Sequence, residues 1–431
     1  MTTAPSKAPD KAAAAADRPH DDDERPGVRG QVVAVIGLLD RPLTSYYLVL
    51  GCSVLLLTLG LTMVLSASSV KQLQATGSAF TLLQKQAMWV GIGLPLMWLA
   101  ARLAPKAFRA LAYPLLLLSV LALVLVLVPG LGQTAGGATR WLRFGGGFQL
   151  QPSEPAKLGL VLWAADLLAR KEKLRQLNEW RQLLMPLLPG TGLVVLLVML
   201  GNDLGTTLVL LTIFLAVLWV VGAPARLFVG ITGLIGVLVA ILIVVEPYRM
   251  RRLTGFLDPT GDPLKDNYQG LQGLFAVASG GWFGTGLGEG RAKWQYLPHS
   301  ETDFIFAIIG EELGLVGTLV VLGLFGLLAY AGLRIARRVK DPFMRLAAAG
   351  VTAWVVVQAI VNIGAVIGVL PITGIPLPLV SYGGSALIPT LIALGMLLSF
   401  AKREPGARQA LAARGPGPVR RALSWLGLAR R

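Results

Sequence analysis

Ten apolar blocks, each about as long as a bilayer is thick, decide what this chain can fold into. A helix needs roughly 20 apolar residues to cross the hydrocarbon core. The blocks cover 46–67, 84–103, 111–130, 155–170, 187–201, 204–221, 225–245, 304–332, 346–370 and 386–401. A large soluble core would not show that block pattern. Charge agrees: 14% of the 431 residues are charged, against roughly 25% in soluble chains. The expected fold is an all-α polytopic membrane protein of about ten transmembrane helices. The fourth and fifth blocks are short. The fifth and sixth nearly fuse around Gly201-Asn202-Asp203-Leu204-Gly205.

Lys and Arg concentrate in cytoplasmic loops. With the N-terminus inside, the inner segments hold 28 of the 39 cations. Both termini are therefore expected in the cytoplasm. The net charge of +16 is mainly a topology signal and needs no nucleic-acid partner.

Residues 1–45 read as a disordered cytoplasmic tail with no cleavable signal peptide. The run Val32 to Leu39 is too short to span. Residues 46–401 form the membrane domain, and 402–431 a basic cytoplasmic tail. Its end, PVRRALSWLGLARR, suits an amphipathic helix on an anionic inner leaflet. The lone cysteine, Cys52, forms no internal disulfide and reads as a packing residue.

Two outer loops are long, 131–154 and 246–303, the larger lying between helices 7 and 8. The larger carries Arg249, Arg251, Arg252, Lys265, Arg291 and Lys293. Long loops escape the positive-inside trend; the sharper reading is an anionic ligand at the outer face. A third outer segment, Ile375 to Pro389, holds Pro376, Pro378, Gly383 and Gly384, which cannot all sit in a regular helix. A broken segment lining a cavity is expected there, with a simple outer loop as the alternative.

The run LPHSETDFIFAIIGEELG, Leu297 to Gly314, puts Asp303 at the mouth of the eighth block and Glu311 and Glu312 inside it. Ionisable groups in spans are usually functional or paired. With Ser300 and Thr302, Asp303 could simply cap the helix. Capping does not account for the cationic loop that ends there. On a helix running through 303, Glu311 lies roughly 12 Å deeper. It is then about 80° round from Asp303, with Glu312 nearly opposite. Glu311 would share a cavity with Asp303, and Glu312 would pair with a basic or polar group on another helix. Gly310 and Gly314 form a GxxxG spacing that lets a neighbouring helix approach closely. Asp203 and Glu154 are expected to be N-caps. Lys157 would pair with Glu154 or with an anionic ligand.

Several chemistries are excluded. There is no GK dipeptide, hence no Walker A loop. His20 and His299 lie in separate regions, so no two-histidine metal site forms. No G-x-S-x-G nucleophile elbow occurs.

Six pieces carry a family resemblance: MVLSASS (63–69), QPSE (151–154), NDLGT (202–206), GGWFGTGLGEGRAKWQYLP (280–298), TDFIFAIIGEELGLVG (302–317) and PLPLVSYGGSA (376–386). Over roughly 45–403 the chain resembles the SEDS family (shape, elongation, division, sporulation). MVLSASS followed by Lys85-Gln86 favours the division branch over the elongation branch. The resemblance implies a peptidoglycan glycosyltransferase that polymerises lipid II at the outer face of the bacterial plasma membrane during septal wall synthesis. It implies a class B penicillin-binding protein as crosslinking partner, within the other division proteins. It makes Asp303, in TDFIFA, the catalytic residue. The chain departs from the family pattern twice: Glu301 stands where a histidine is usual, and Asn202 where a proline is usual.

In that chemistry Asp303 acts as general base on a sugar hydroxyl. Arg249, Arg251, Arg252, Lys293 and Arg143 are candidate ligands of the departing diphosphate. Lys157, Glu311 and Ser381 are further substrate-binding candidates. Glu154, Asp203, Glu312, Gly310 and Gly314 support the site. A divalent cation, Mg or Mn, held by Asp303 or Glu311 with substrate phosphates, would share the work. No nucleotide is expected. Competing readings are a lipid II transporter centred on Glu311 at mid-membrane, an elongation-type polymerase, and a scaffold that only recruits the crosslinking partner.

Overall fold

A computed structural model describes residues 41–135, 137–144, 148–174, 179–257, 267–294 and 296–413. The two tails and Lys265 lie largely or wholly outside the described residues, as do Val32 to Leu39 and the PVRRALSWLGLARR segment. Each apolar block falls on a helix. These are α1 (Thr44–Thr76), α2 (Thr81–Ala100), α3 (Pro105–Leu127), α4 (Ser153–Lys173), α6 (Leu187–Leu200), α7 (Leu204–Val220), α8 (Ala225–Val245), α11 (Ile305–Arg338), α12 (Pro342–Val366) and α13 (Gly384–Ala401). Shorter helices α5 (Trp180–Leu184), α9 (Pro247–Leu257), α10 (Tyr268–Ser279) and α14 (Ala407–Ala413) connect or follow them. By length and composition, α1, α3, α8, α11, α12 and α13 are long and apolar enough to cross a membrane, and α6 and α7 are shorter apolar helices.

Helix α4 runs longer than the block 155–170 that marks it. The reason lies in charges that hydropathy discounts: Glu154, paired with Lys157, opens the helix, and Lys171, Glu172 and Lys173 extend it past 170, with Glu172 paired to Arg345. It is the central helix. Every residue from Ala156 to Asp166 is buried, and it packs on α3, α7, α12 and α13. Cys52 is buried in the hydrophobic core as a packing residue. By contrast α8 buries no residue. Its exposed Val229, Leu234, Val237 and Ile241 form an apolar surface too large for water but suited to lipid.

Ion pairs gather the ends of α3, α4 and α12. Arg109 meets Asp341 at 3.0 Å and Arg345 meets Glu172 at 2.8 Å. This brings 102–109, 170–173 and 334–345 together, the segments that the positive-inside trend assigns to the cytoplasm.

The outer loops hold structure that hydropathy does not show. Loop 131–154 forms an antiparallel sheet of β1 (Gly132–Ala135), β2 (Ala138–Phe144) and β3 (Phe148–Leu150) in the order β1-β2-β3. The Thr139 N–H donates to Gly201 O at 2.9 Å, tying the sheet to the α6–α7 turn. In loop 246–303, α9 follows α8, and α10 packs on α11. The segment between α12 and α13 has no regular structure from Pro371 to Leu377. Ile375, Leu377, Leu379 and Val380 are buried. This broken stretch is therefore packed inside protein, one of the two settings that tolerate irregular backbone at membrane depth.

Candidate active site

Asp303 sits in a turn, not in a helix. Helix α11 begins at Ile305 with Phe304 at its N-cap, and that residue makes no side-chain cap. The helical wheel drawn through 303 therefore does not apply, and the expected alignment of Asp303 with Glu311 falls with it. The turn is made by His299, whose φ is 57° and whose carbonyl accepts from the N–H of Thr302 (3.1 Å) and of Phe304 (3.2 Å).

Three successive carbonyls of this turn are clamped from one side. Glu301 O accepts from the Tyr382 N–H at 3.0 Å. Thr302 O accepts from the Ser381 hydroxyl at 2.6 Å. Asp303 O accepts from Asn362 Nδ2 at 2.7 Å. Each donor is itself fixed. Asn362 also donates to Ile375 O at 2.8 Å, and Ser381 Oγ accepts from the Leu377 N–H at 2.8 Å. Gln86 of α2 donates to Ser381 O at 3.3 Å. The broken segment thus positions Asp303. Gly374, at φ 71°, lies beside the carboxylate, and a Cβ there would stand 3.6 Å from Asp303 Oδ2. Ser381 is buried with its hydroxyl engaged on backbone, so it serves as a clamp and not as the expected substrate ligand.

Beside the turn, Lys71 Nζ of α1 lies 2.5 Å from Glu301 Oε1. The Ser300 hydroxyl donates to Glu301 Oε2 at 3.3 Å. Burial, and secondarily the Glu301 charge, push the Tyr382 phenol above its ordinary range.

Deeper along α11 the expected GxxxG contact is replaced by a break. Gly314 has φ 67° and ψ −163°, which divides the helix. A Cβ there would lie 2.3 Å from Gly284 N, so only glycine fits. The break frees backbone groups, and loop 280–286 takes them up. Thr285 N–H donates to Glu311 O (2.9 Å), and Gly286 N–H to Glu312 O (3.1 Å). In return the Leu315 N–H donates to Gly281 O at 2.9 Å. Gly310 packs against Val277 of α10. The neighbour is thus a short helix and a loop, not a second spanning helix.

The two glutamates lock the same loop. Glu311 Oε1 accepts from the N–H groups of Arg291 (2.7 Å) and Ala292 (3.2 Å). Its carboxylate holds backbone, where substrate contact was expected. Glu312 is fully buried and pairs with Lys293 at 3.0 Å and with Ser66 of α1 at 2.6 Å. Ser66 is the polar partner on another helix that was expected for Glu312; Lys293 comes from the outer loop, and the pair removes it from the free cations. Lys293 is buried and also donates to Gly288 O.

The other candidates disperse. Lys157 is 1% exposed and bonded to Glu154 (2.9 Å) and Gln358 (2.9 Å). Gln358 in turn donates to Pro376 O of the broken segment at 3.0 Å. Glu154 is this buried partner and not an N-cap; Pro152 holds the N-cap position of α4. Asp203 does cap α7, accepting from the Thr206 N–H at 3.0 Å. Arg249 reaches Leu242 O (2.8 Å) and Asn202 (3.2 Å), which closes α8 against the α6–α7 turn. Arg143 and Arg251 are exposed; the side chain of Arg252 lies outside the described residues. Asn362, Gln358, Gln86 and Lys71 were missed. Three are neutral or scattered through apolar blocks, and only their polarity within those blocks marks them. Arg140 was missed too. It lines a small pocket with Thr139, Ser153, Gly201 and Asp203 that includes no residue of the Asp303 turn.

Comparison with known proteins places the whole assembly. A family profile for the cell cycle proteins FtsW, RodA and SpoVE matches residues 46–405. The probable peptidoglycan glycosyltransferase FtsW of Mycobacterium tuberculosis is 46% identical over 385 residues, 89% of this chain and 73% of the relative. Stage V sporulation protein E of Bacillus subtilis is 38% identical over 81% of this chain and 95% of its own. A chain from a peptidoglycan synthase complex that coordinates polymerization and crosslinking superposes with TM-score 0.67 at 33% identity, covering 84% of this chain and 98% of that one. The rod shape determining protein RodA of Thermus thermophilus gives TM-score 0.61 at 32% identity, over 83% of this chain and 97% of its own. This chain is a membrane protein of the FtsW/RodA/SpoVE family of cell cycle proteins.

Proposed function

We propose that the chain is a division-type peptidoglycan glycosyltransferase that polymerises lipid II into glycan strands at the outer face of the plasma membrane, at the septum. The observation that carries this reading is the clamp on Asp303: three consecutive carbonyls held by Tyr382, Ser381 and Asn362. Such pre-organisation is what a positioned general base requires. The acceptor sugar hydroxyl attacks the anomeric carbon of the donor. A carbon–oxygen bond forms as the bond from that carbon to the diphosphate oxygen breaks. The hydroxyl proton passes to the Asp303 carboxylate, and the polyprenyl diphosphate departs. General-base help of this kind contributes roughly 10²–10⁴-fold. The polymer then passes to a class B penicillin-binding protein for crosslinking, among the other division proteins.

A divalent cation at this site would rest on few protein ligands. Among the described residues no three His, Cys, Asp or Glu side chains group to hold one. Glu311, the alternative ligand to Asp303, is engaged on backbone N–H groups. Mg or Mn would then depend on Asp303 and the substrate's own phosphates, and no step above is routed through it. The transporter reading asks Glu311 to face a mid-membrane cavity, and its bonds to loop 291–292 speak against that.

The test is polymerisation of purified lipid II by the chain reconstituted with its crosslinking partner, the partner's transpeptidase blocked. Glycan polymer is the expected product. Lipid II crossing the vesicle with no polymer formed would replace the enzyme by the transporter.

A further inference from the structure

Of the cations that the sequence marks for the substrate, Lys293 and Lys157 are buried in internal ion pairs and Arg249 is engaged on the α8 end and Asn202. Among the described residues, a cation that the fold does bring to the Asp303 turn is Lys71, from the outer end of α1, through its pair with Glu301. Building on the reading above, we infer that Lys71 is the residue that meets the diphosphate of the lipid-linked donor.

Three observations support it. Lys71 is anchored two residues from Asp303 in the chain, by Glu301 at 2.5 Å. Its side chain remains 48% exposed while that of Glu301 is 11% exposed. An ammonium has three N–H donors, and among the described residues Glu301 takes one of them. The other two are available to phosphate oxygens. Glu301 is held on its far side by Ser300, and its backbone carbonyl by the Tyr382 N–H. The carboxylate thus fixes the direction of a long, otherwise mobile side chain. That removes part of the ordering cost of binding. A diphosphate brings more negative charge than Glu301 and can share the same ammonium.

The test uses the full chain with its crosslinking partner in lipid nanodiscs. The probe is geranylgeranyl diphosphate, measured both by direct binding and as a competitor of lipid II polymerisation. Lys71→Met is expected to weaken probe binding about tenfold or more, the size of one lost charge-assisted hydrogen bond. It should raise the half-saturating lipid II concentration similarly. Lys71→Arg should stay within about threefold of wild type, as it keeps the donors. Glu301→Gln should retain probe binding within about threefold, since the ammonium remains. Thermal unfolding of each variant guards against misfolding, and Lys71→Gln serves as a second neutral variant. Unchanged probe binding in folded Lys71→Met would overturn the inference. So would equal losses in Lys71→Met and Glu301→Gln, which would make the pair a brace for the turn. Probe binding needs no turnover. If wild type makes no polymer yet Lys71→Met still weakens the probe, Lys71 stands and the polymerase reading fails.

Discussion

Replacing Asn362 by alanine removes the two donors that join the Asp303 turn to the broken segment. Both bonds are short, 2.7 Å to Asp303 O and 2.8 Å to Ile375 O, and Asn362 is 3% exposed. Water therefore replaces neither donor readily. A carbonyl left buried without a partner costs about 1–3 kcal/mol, so the two together weaken the junction by roughly 2–6 kcal/mol. The bonds of Tyr382 and Ser381 remain, so the turn should loosen without unfolding the helices. A 1 Å misplacement of a reacting group costs about 10²-fold in rate. Polymerisation by Asn362→Ala should thus fall about 100-fold in kcat, with the half-saturating lipid II concentration within about threefold of wild type. Quantifying polymer from labelled lipid II at saturating substrate reads the first, and a substrate titration the second. A folded variant with near-normal kcat would refute the clamp, and with it the claim that the broken segment positions Asp303.

Three further outcomes follow from the same geometry. Lys293→Met leaves Glu312 buried without its cation and should cost about 3–5 kcal/mol; adding Glu312→Gln should recover part of that, seen by thermal unfolding in detergent. Gly314→Ala forces a Cβ onto Gly284 N, so amide exchange across 281–286 should quicken as that loop detaches. Asp203→Ala removes the α7 cap at Thr206 and should cost about 1 kcal/mol with little effect on the rate constant for polymerisation, because Asp203 does not touch the 301–304 turn.

The helices were legible because crossing a bilayer demands length and apolarity, and both can be counted along the chain. Asp303 was legible by its place at the mouth of an apolar block and by the TDFIFA motif. The clamp was not. Asn362 and Ser381 lie 59 and 79 residues from the turn carbonyls they hold, and nothing local marks a side chain that bonds a distant carbonyl. The roles of the charges failed for a related reason. Lys157 and Glu311 read as substrate ligands because a charge in an apolar setting asks for a partner, and Lys293 because it stands in the cationic outer loop. The sequence shows that need but not whether another side chain or a backbone turn satisfies it. Gly314 misled in a third way: the spacing of two glycines suits a helix contact, but the positive φ that breaks α11 is a backbone property set by the loop packed against it.

The most direct measurement is a single-turnover assay of Asp303→Asn against wild type, in the reconstituted complex, with lipid II binding determined for both. Asparagine keeps the shape and the backbone carbonyl that Asn362 holds, and removes the base. Equal binding with polymer formation lost by 10²-fold or more is the expected result. Equal binding with an unchanged rate would contradict the account, because Asp303 would then be only the end of a turn.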